Sequence, residues 1–186
     1  MRLFVAVNLP QEVRQGIWAA TEGLRTTDFP VRWVDVTSLH LTLKFLGEVE
    51  DKRRNEIVSA VERGTNGARP FLLSLSGFGA FPSVERPRVI WVGCDGVPPL
   101  ELLQHHLERE LERCGSPVDG RPFRPHLTLG RAKKDAAARS FEGLESALEG
   151  LSFEGETLVQ SVELMESRLG RDGSAYRPVH SVTFES

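Results

Sequence analysis

Apolar and polar positions along this chain fall into two rhythms, one with the spacing of strands and one with the spacing of helices. Leu3 to Val7 form an unbroken apolar run, the pattern of a strand buried on both faces, and Pro10 stands where a helix can begin. Val13, Ile17, Ala20 and Leu24 then recur at i, i+4, i+7 and i+11, the stripe of an amphipathic helix covering a sheet. Val31 to Val34 and Leu39 to Leu46 predict strands, divided by the polar break Asp35 to Ser38 and closed by Gly47. Asp51 to Arg63 predicts a second helix, with Ile57, Val58 and Val61 inward and Gly64 at its carboxyl end. Phe71 to Leu75 and Val89 to Val92 predict strands joined by a surface loop that holds Gly77, Gly79, Pro82 and Pro87.

Leu100, Leu103, Leu107 and Leu111 mark a third helix, from Pro98 and Pro99 to Gly115. Pro125 biases Arg124 towards an extended backbone, so a strand starts at His126. Asp135 to Leu148 predicts a fourth helix with Phe141, Leu144 and Leu148 inward, although Gly143 weakens it. Two strands close the chain, near Val159 to Met165 and His180 to Phe184, with a Gly-rich turn at Gly170 to Ser174. This succession implies an α+β protein, helices against antiparallel sheet, in which residues 1–186 form a single domain. Its two halves resemble each other enough to suggest a bilobal duplication.

Composition narrows the class. With 40% hydrophobic and 26% charged residues the chain has enough apolar material for a core and is not a disordered segment. A formal net charge of −3 excludes a polycation that coats nucleic acid, so any phosphate contact must be local. Cys94 and Cys114 have no metal-type spacing and read as free buried thiols in a reducing compartment. The opening MRLFVAVNLPQEV is too short in its apolar run for a secretory signal, and no stretch approaches the roughly 20 apolar residues of a membrane span. The expectation is a cytoplasmic protein with no membrane contact, and nothing in the sequence calls for an obligate protein partner.

The one repeated pattern carries the chemistry. His40-Leu41-Thr42-Leu43 returns as His126-Leu127-Thr128-Leu129. On a strand, His and Thr two apart share one face while the leucines share the other, so each copy offers a polar pair to one side and an apolar pair to a core. Two copies suggest two symmetry-related strands converging on one site. Histidine populates both protonation states near neutrality, so a facing pair supplies a base and an acid together, as transfer at phosphorus requires. Each threonine hydroxyl can donate to a non-bridging phosphate oxygen. Neither role requires a metal or other cofactor. A zinc site competes for two histidines, but it wants a third ligand where these strands supply threonine. No G-x-S-x-G elbow is present, and nothing ties either cysteine to a histidine.

Around the first motif the sequence reads Leu39-His40-Leu41-Thr42-Leu43-Lys44-Phe45-Leu46-Gly47, and around the second Phe123-Arg124-Pro125-His126-Leu127-Thr128-Leu129-Gly130-Arg131. With the opening Met-Arg-Leu-Phe-Val-Ala-Val and Arg32-Trp33-Val34, these stretches resemble the 2H phosphoesterase superfamily, and within it the RNA 2′,3′-cyclic phosphodiesterases, also called the 2′-5′ RNA ligase family. The resemblance implies a bilobal fold in which two antiparallel sheets line a cleft with helices outside. It also implies hydrolysis of RNA 2′,3′-cyclic phosphate ends to 2′-phosphomonoesters, with His126 as the base and His40 as the acid. The alternatives are ATP-independent joining of a cyclic phosphate to a 5′-hydroxyl through a 2′-5′ bond, and a module that binds RNA ends or nucleotides without turnover.

The candidate site is therefore His40 and His126 as catalytic groups, with Thr42 and Thr128 on the phosphate. By alternation Lys44 shares the face of His40 and Thr42 and reaches the cleft, or else is a solvated lysine at a strand end. The resemblance places Arg131 on phosphate too, which strict alternation allows only with a bend at Gly130. Arg32, Trp33, Phe45, Arg124 and Tyr176 are candidates for stacking a base or holding a flanking nucleotide. His105, His106 and His180 lack partners at useful spacing. The Lys133-Lys134 and Arg53-Arg54 pairs read as solvated helix ends that could also draw RNA to the cleft.

Overall fold

The computed structural model describes residues 1–170 and 173–186. In chain order these form β1 (Arg2–Asn8), α1 (Gln11–Ala20), α2 (Glu22–Thr26), β2 (Val31–Trp33), β3 (His40–Glu48), α3 (Arg54–Thr65), β4 (Phe71–Phe81), β5 (Val89–Cys94), α4 (Pro98–Arg113), β6 (His126–Ala132), α5 (Leu144–Glu149), β7 (Glu154–Val159), β8 (Ser161–Gly170) and β9 (Gly173–Thr183). All strand pairings among the described residues are antiparallel.

The strands run in the order β7-β4-β5-β6-β3-β1-β8-β9, with β2 added beside β6. Two groups of four strands thus meet at β6 and β3, where one residue pair, Leu41 opposite Leu127, joins them. These are the two sheets of a bilobal α+β fold, curled around a shared cleft. Helices α3 and α4 pack on each other and on β3, β8 and β9, while α1 lies against β7 and α5 against β4.

The lobes are not the two halves of the sequence. The first lobe holds β1, β3, β8 and β9, so it takes strands from both ends of the chain, and the second holds β4 to β7. Likeness between the sequence halves suggests consecutive lobes, but the chain weaves from one to the other repeatedly.

Burial follows the patterns that built the elements. The interior contains Leu3, Val5 and Val7 of β1, Leu41 and Leu43 of β3, Leu127 and Leu129 of β6, and the α4 stripe Leu100, Leu103, Leu107 and Leu111. The opposite face of β1 is also covered, because Phe4 and Ala6 form a small separate cluster with Met165 and Tyr176. Both cysteines are free, and burial pushes the Cys94 thiol up to about 12, leaving it inert at physiological pH.

Three expectations need correcting. The glycine-containing stretch after Leu75 is strand, not loop: β4 continues to Phe81, with a register shift between Leu75 and Phe78. A Cβ at Gly79 would stand 2.3 Å from the Trp91 ring, so this glycine is where an aromatic side chain from β5 lies flat against the strand. The expected helix over Asp135 to Leu148 reduces to a 3₁₀ turn at Ala138–Phe141 and the short α5, because Gly143 sits at φ +87° and breaks the run. The strand expected near Val159 to Met165 is two strands, β7 and β8, hinged at Gln160. Of the expected turn at Gly170 to Ser174, residues 171 and 172 lie outside the described residues.

Candidate active site

His40 and Thr42 come from the start of β3, and His126 and Thr128 from the start of β6. The buried pair Leu41 and Leu127 fixes their relation. In an antiparallel ladder that register sets His40 across from Thr128 and Thr42 across from His126. The histidines are then diagonal neighbours, a relation that spans roughly 7–8 Å, enough for a phosphorus with its attacking and leaving oxygens between them. Both apolar positions of each motif are buried, so the polar positions are left to the opposite, cleft-lining face.

The two imidazoles are held alike. His40 Nδ1 lies 2.7 Å from the Ser38 carbonyl and His126 Nδ1 lies 2.6 Å from the Arg124 carbonyl, each two residues back along the chain. A carbonyl only accepts, so Nδ1 carries the hydrogen in both rings and Nε2 is the atom offered to the cleft. Their Nε2 atoms differ: that of His40 is 3.1 Å from Thr42 Oγ1, while that of His126 has no hydrogen-bond partner among the described residues. Aromatic neighbours hold both ring planes. His40 packs against Phe4 at 4.9 Å and Tyr176 at 5.1 Å between centroids, and His126 meets Phe81 edge-on at 5.0 Å.

Burial holds both histidines below their ordinary value. The carbonyl on Nδ1 pushes the other way in each ring, and the positive charge of Arg131 adds to the lowering in both. A single guanidinium therefore acts on the two rings together.

Arg131 reaches that position through a bulge. Between β5 and β6 the register shifts from Ile90 opposite Gly130 to Trp91 opposite Thr128, which makes Leu129 the extra residue. The insertion resets alternation, so Gly130 turns to the core side and Arg131 to the cleft side, opposite Val89 and Arg32. The bend required for Arg131 thus lies one residue before Gly130. Gly130 has its own reason to lack a side chain, since a Cβ would meet Val31 at 2.5 Å and Trp33 at 2.7 Å.

The first motif has the same device, and it removes Lys44 from the cleft. The β1–β3 register shifts from Val5 opposite Lys44 to Ala6 opposite Thr42, leaving Leu43 as the extra residue. Lys44 consequently points to the core side, where it is only 6% exposed. Its Nζ donates to Glu108 Oε1 at 2.9 Å and to the Pro117 carbonyl at 2.7 Å. Burial raises Glu108, but the Asp119 N–H and Lys44 outweigh it, and the carboxyl ends below its usual range. Lys44 is neither a phosphate ligand nor a solvated strand-end lysine. Phe45 takes the cleft-side position instead, opposite Phe4, half exposed and beneath the Arg2 guanidinium.

The remaining candidates separate cleanly. Tyr176 stands against His40, and Arg32 is exposed beside Arg131. Trp33 packs over Gly130 on the core side and does not line the cleft. Arg124 contributes its carbonyl to His126 and leaves its side chain exposed. His105 and His106 are exposed on α4, His180 pairs with Glu62 at 3.0 Å, and Arg53 pairs with Glu56 at 3.0 Å. Sequence reasoning misses Phe4, Phe81 and Trp91. Phe4 sits in a continuous apolar run, and Phe81 sits in a stretch whose glycines and prolines read as loop. For Trp91 the available signal is Gly79, which lies opposite it on β4 and leaves its ring room. Among the described residues no group of three His, Cys, Asp or Glu side chains is placed to hold a metal ion.

Comparison with known proteins bears on family and fold. A family model described as the 2′-5′ RNA ligase superfamily matches residues 13–171. A Thermotoga maritima protein named RNA 2′,3′-cyclic phosphodiesterase is 31% identical over 186 residues, covering 100% of this chain and 96% of the relative. A protein of that name from Thermus thermophilus is 35% identical over 163 residues, covering 82% and 80%. Among solved structures, one of a Thermus thermophilus protein superposes with a TM-score of 0.82 at 28% identity, covering 99% of this chain and 98% of that one. Escherichia coli LigT complexed with 3′-AMP superposes with a TM-score of 0.80 at 28% identity, covering 100% and 98%.

Proposed function

Since the chain belongs to the 2′-5′ RNA ligase superfamily, we propose that it hydrolyses RNA 2′,3′-cyclic phosphate ends to 2′-phosphomonoesters through His40 and His126. The observation that carries this reading is the convergence of two Nδ1-anchored imidazoles, each with its threonine, on a cleft where the Arg131 guanidinium acts on both rings.

The cyclic phosphate, a monoanion, seats between the motif strands. Thr42 and Thr128 donate their hydroxyls to its non-bridging oxygens and Arg131 balances the charge that grows on them. Seating the anion reverses part of the lowering that burial and Arg131 impose, so one imidazole can take up a proton while the other stays neutral. His126 Nε2, which has no competing partner among the described residues, is the base: it removes a proton from water as the water oxygen bonds to phosphorus. The P–O3′ bond opposite breaks, and His40 Nε2 delivers its proton to O3′. Thr42 Oγ1, 3.1 Å from that nitrogen in the structure, has by then turned its hydroxyl to the phosphate. Water and cyclic phosphate thus become a 2′-phosphate and a 3′-hydroxyl, and proton exchange with solvent resets the pair.

The test is incubation with an oligoribonucleotide ending in 2′,3′-cyclic phosphate, in EDTA, followed by analysis of the end group. The expected product is the 2′-phosphate. An unchanged cyclic end at high enzyme concentration would sink the hydrolytic reading, and formation of product only with added metal would sink the two-histidine mechanism.

A further inference from the structure

Arg131 also lines an open groove of about 740 Å³, together with Arg86, Arg88, Lys133 and Lys134 and the buried Pro87 and Phe141. We propose that this groove binds the ribose-phosphate backbone of RNA on the 5′ side of the terminal nucleotide. The protein would then prefer oligonucleotide ends to free cyclic mononucleotides. This rests on the phosphodiesterase reading above.

Charge is the first argument. The protein carries a net −3, yet no acidic side chain is among the described residues lining this groove. Elsewhere seven basic side chains, Lys44, Lys52, Arg53, Arg63, Arg113, Arg168 and Arg177, pair with carboxylates. The five cations of the groove have no such pair among the described residues, and all five are exposed. Arg32 adds to them as the cross-strand partner of Arg131 on the same face. Like charges directly opposite on a sheet are destabilising, so an assembly of this kind is relieved by an anion from outside. A repeating polyanion fits it better than a single phosphate, which has too few oxygens to meet cations spread along a groove.

Continuity is the second argument. Arg131 belongs to both places, acting on the two histidines and lining the groove. Lys133 and Lys134 follow it directly, and Lys133 is tied down by its N–H to the Pro30 carbonyl at 2.8 Å. At about 3.3 Å per strand residue the groove begins roughly 15 Å from His126, a span of a few nucleotides. The groove contributes charge and no stacking platform beyond the buried Phe141, so it tracks backbone without reading sequence.

The experiment compares a cyclic mononucleotide, cytidine 2′,3′-cyclic phosphate, with a ten-nucleotide RNA ending in the same group, using wild type and the triple variant Arg86→Ala, Lys133→Ala, Lys134→Ala. The variant is expected to raise the oligonucleotide KM about tenfold, surface ion pairs being individually weak. The slope of log KM against log salt should also flatten by about 2, at about 0.7 for each phosphate of a single strand that no longer meets a cation. Turnover of the mononucleotide should be unchanged, which doubles as the control for folding. An oligonucleotide KM and salt slope equal to wild type would overturn the proposal, as would an equal loss on both substrates, which would assign the cations to the reacting phosphate. If wild type turns over neither substrate, the phosphodiesterase reading fails. Anisotropy of a labelled ten-nucleotide RNA with a 3′-phosphate then still tests the groove, which stands only if the triple variant binds it more weakly.

Discussion

Lys44→Met separates two accounts of one residue. Alternation along β3 puts Lys44 on the phosphate, and losing it would then cost activity at unchanged stability. The bulge at Leu43 instead turns it into the interior, where it bonds Glu108 at 2.9 Å and the Pro117 carbonyl at 2.7 Å. Methionine keeps the stem volume and deletes the ammonium, so the cost is that of stranding a carboxylate. Removing one partner of a buried ion pair costs about 3–5 kcal/mol. Glu108 is 16% exposed at its side chain and keeps the Asp119 N–H and Gln104, which brings the figure to about 2–3 kcal/mol against the same range. For a chain of this length that corresponds to a fall in Tm of about 5–10 °C. Because Lys44 makes no contact in the cleft, kcat/KM should remain within about tenfold of wild type. Adding Glu108→Gln should recover part of the loss, giving a favourable coupling in the double-mutant cycle. Thermal denaturation followed by circular dichroism, with initial rates on cyclic phosphate, reads both quantities. A variant with unchanged Tm and activity down more than about a hundredfold would refute the reasoning and return Lys44 to the phosphate.

His40→Ala and His126→Ala are each expected to lower kcat by about 10² to 10⁴, with the double variant little worse than either single, because the two groups act in one step. Both histidines titrate below their ordinary 6.5, so kcat/KM of the free enzyme should be bell-shaped with its maximum on the acid side of that value. A profile with only one limb would argue against two titrating imidazoles. Arg131→Gln removes a charge that lowers both, so both imidazole titrations, followed by NMR, should move up together. Movement of one alone would mean that the guanidinium does not serve the pair. The same lowering gives a sign for stability: the unfolded chain holds more protons between the folded values and 6.5, so the fold loses stability as pH drops through that window.

Much of this is legible in the sequence for physical reasons that can be named. His-x-Thr-x with leucines between is self-interpreting on a strand, because burying Leu41 and Leu127 leaves His40, Thr42, His126 and Thr128 the opposite face. The α4 stripe is equally plain, with all four leucines buried. What escapes depends on partners far away in sequence. A bulge is set by two strands together, so nothing local announces the extra residues Leu43 and Leu129 that exchange Lys44 for Phe45 and bring Arg131 inward. The same limit hides β4 beyond Leu75, since Gly79 reads as a turn residue until the Trp91 ring that needs the space is known. Interleaving of the lobes is invisible because likeness between sequence halves carries no information about which strands pair.

That interleaving bears on kinetics. The chain passes from one lobe to the other after β1, before β3, after α3, on both sides of α4 and again between β7 and β8. Two bodies stitched together at so many points cannot swing like a clamshell on a single strap. The distance between His40 and His126 is therefore fixed by the fold before any ligand arrives, rather than by a closing motion that each turnover must wait for.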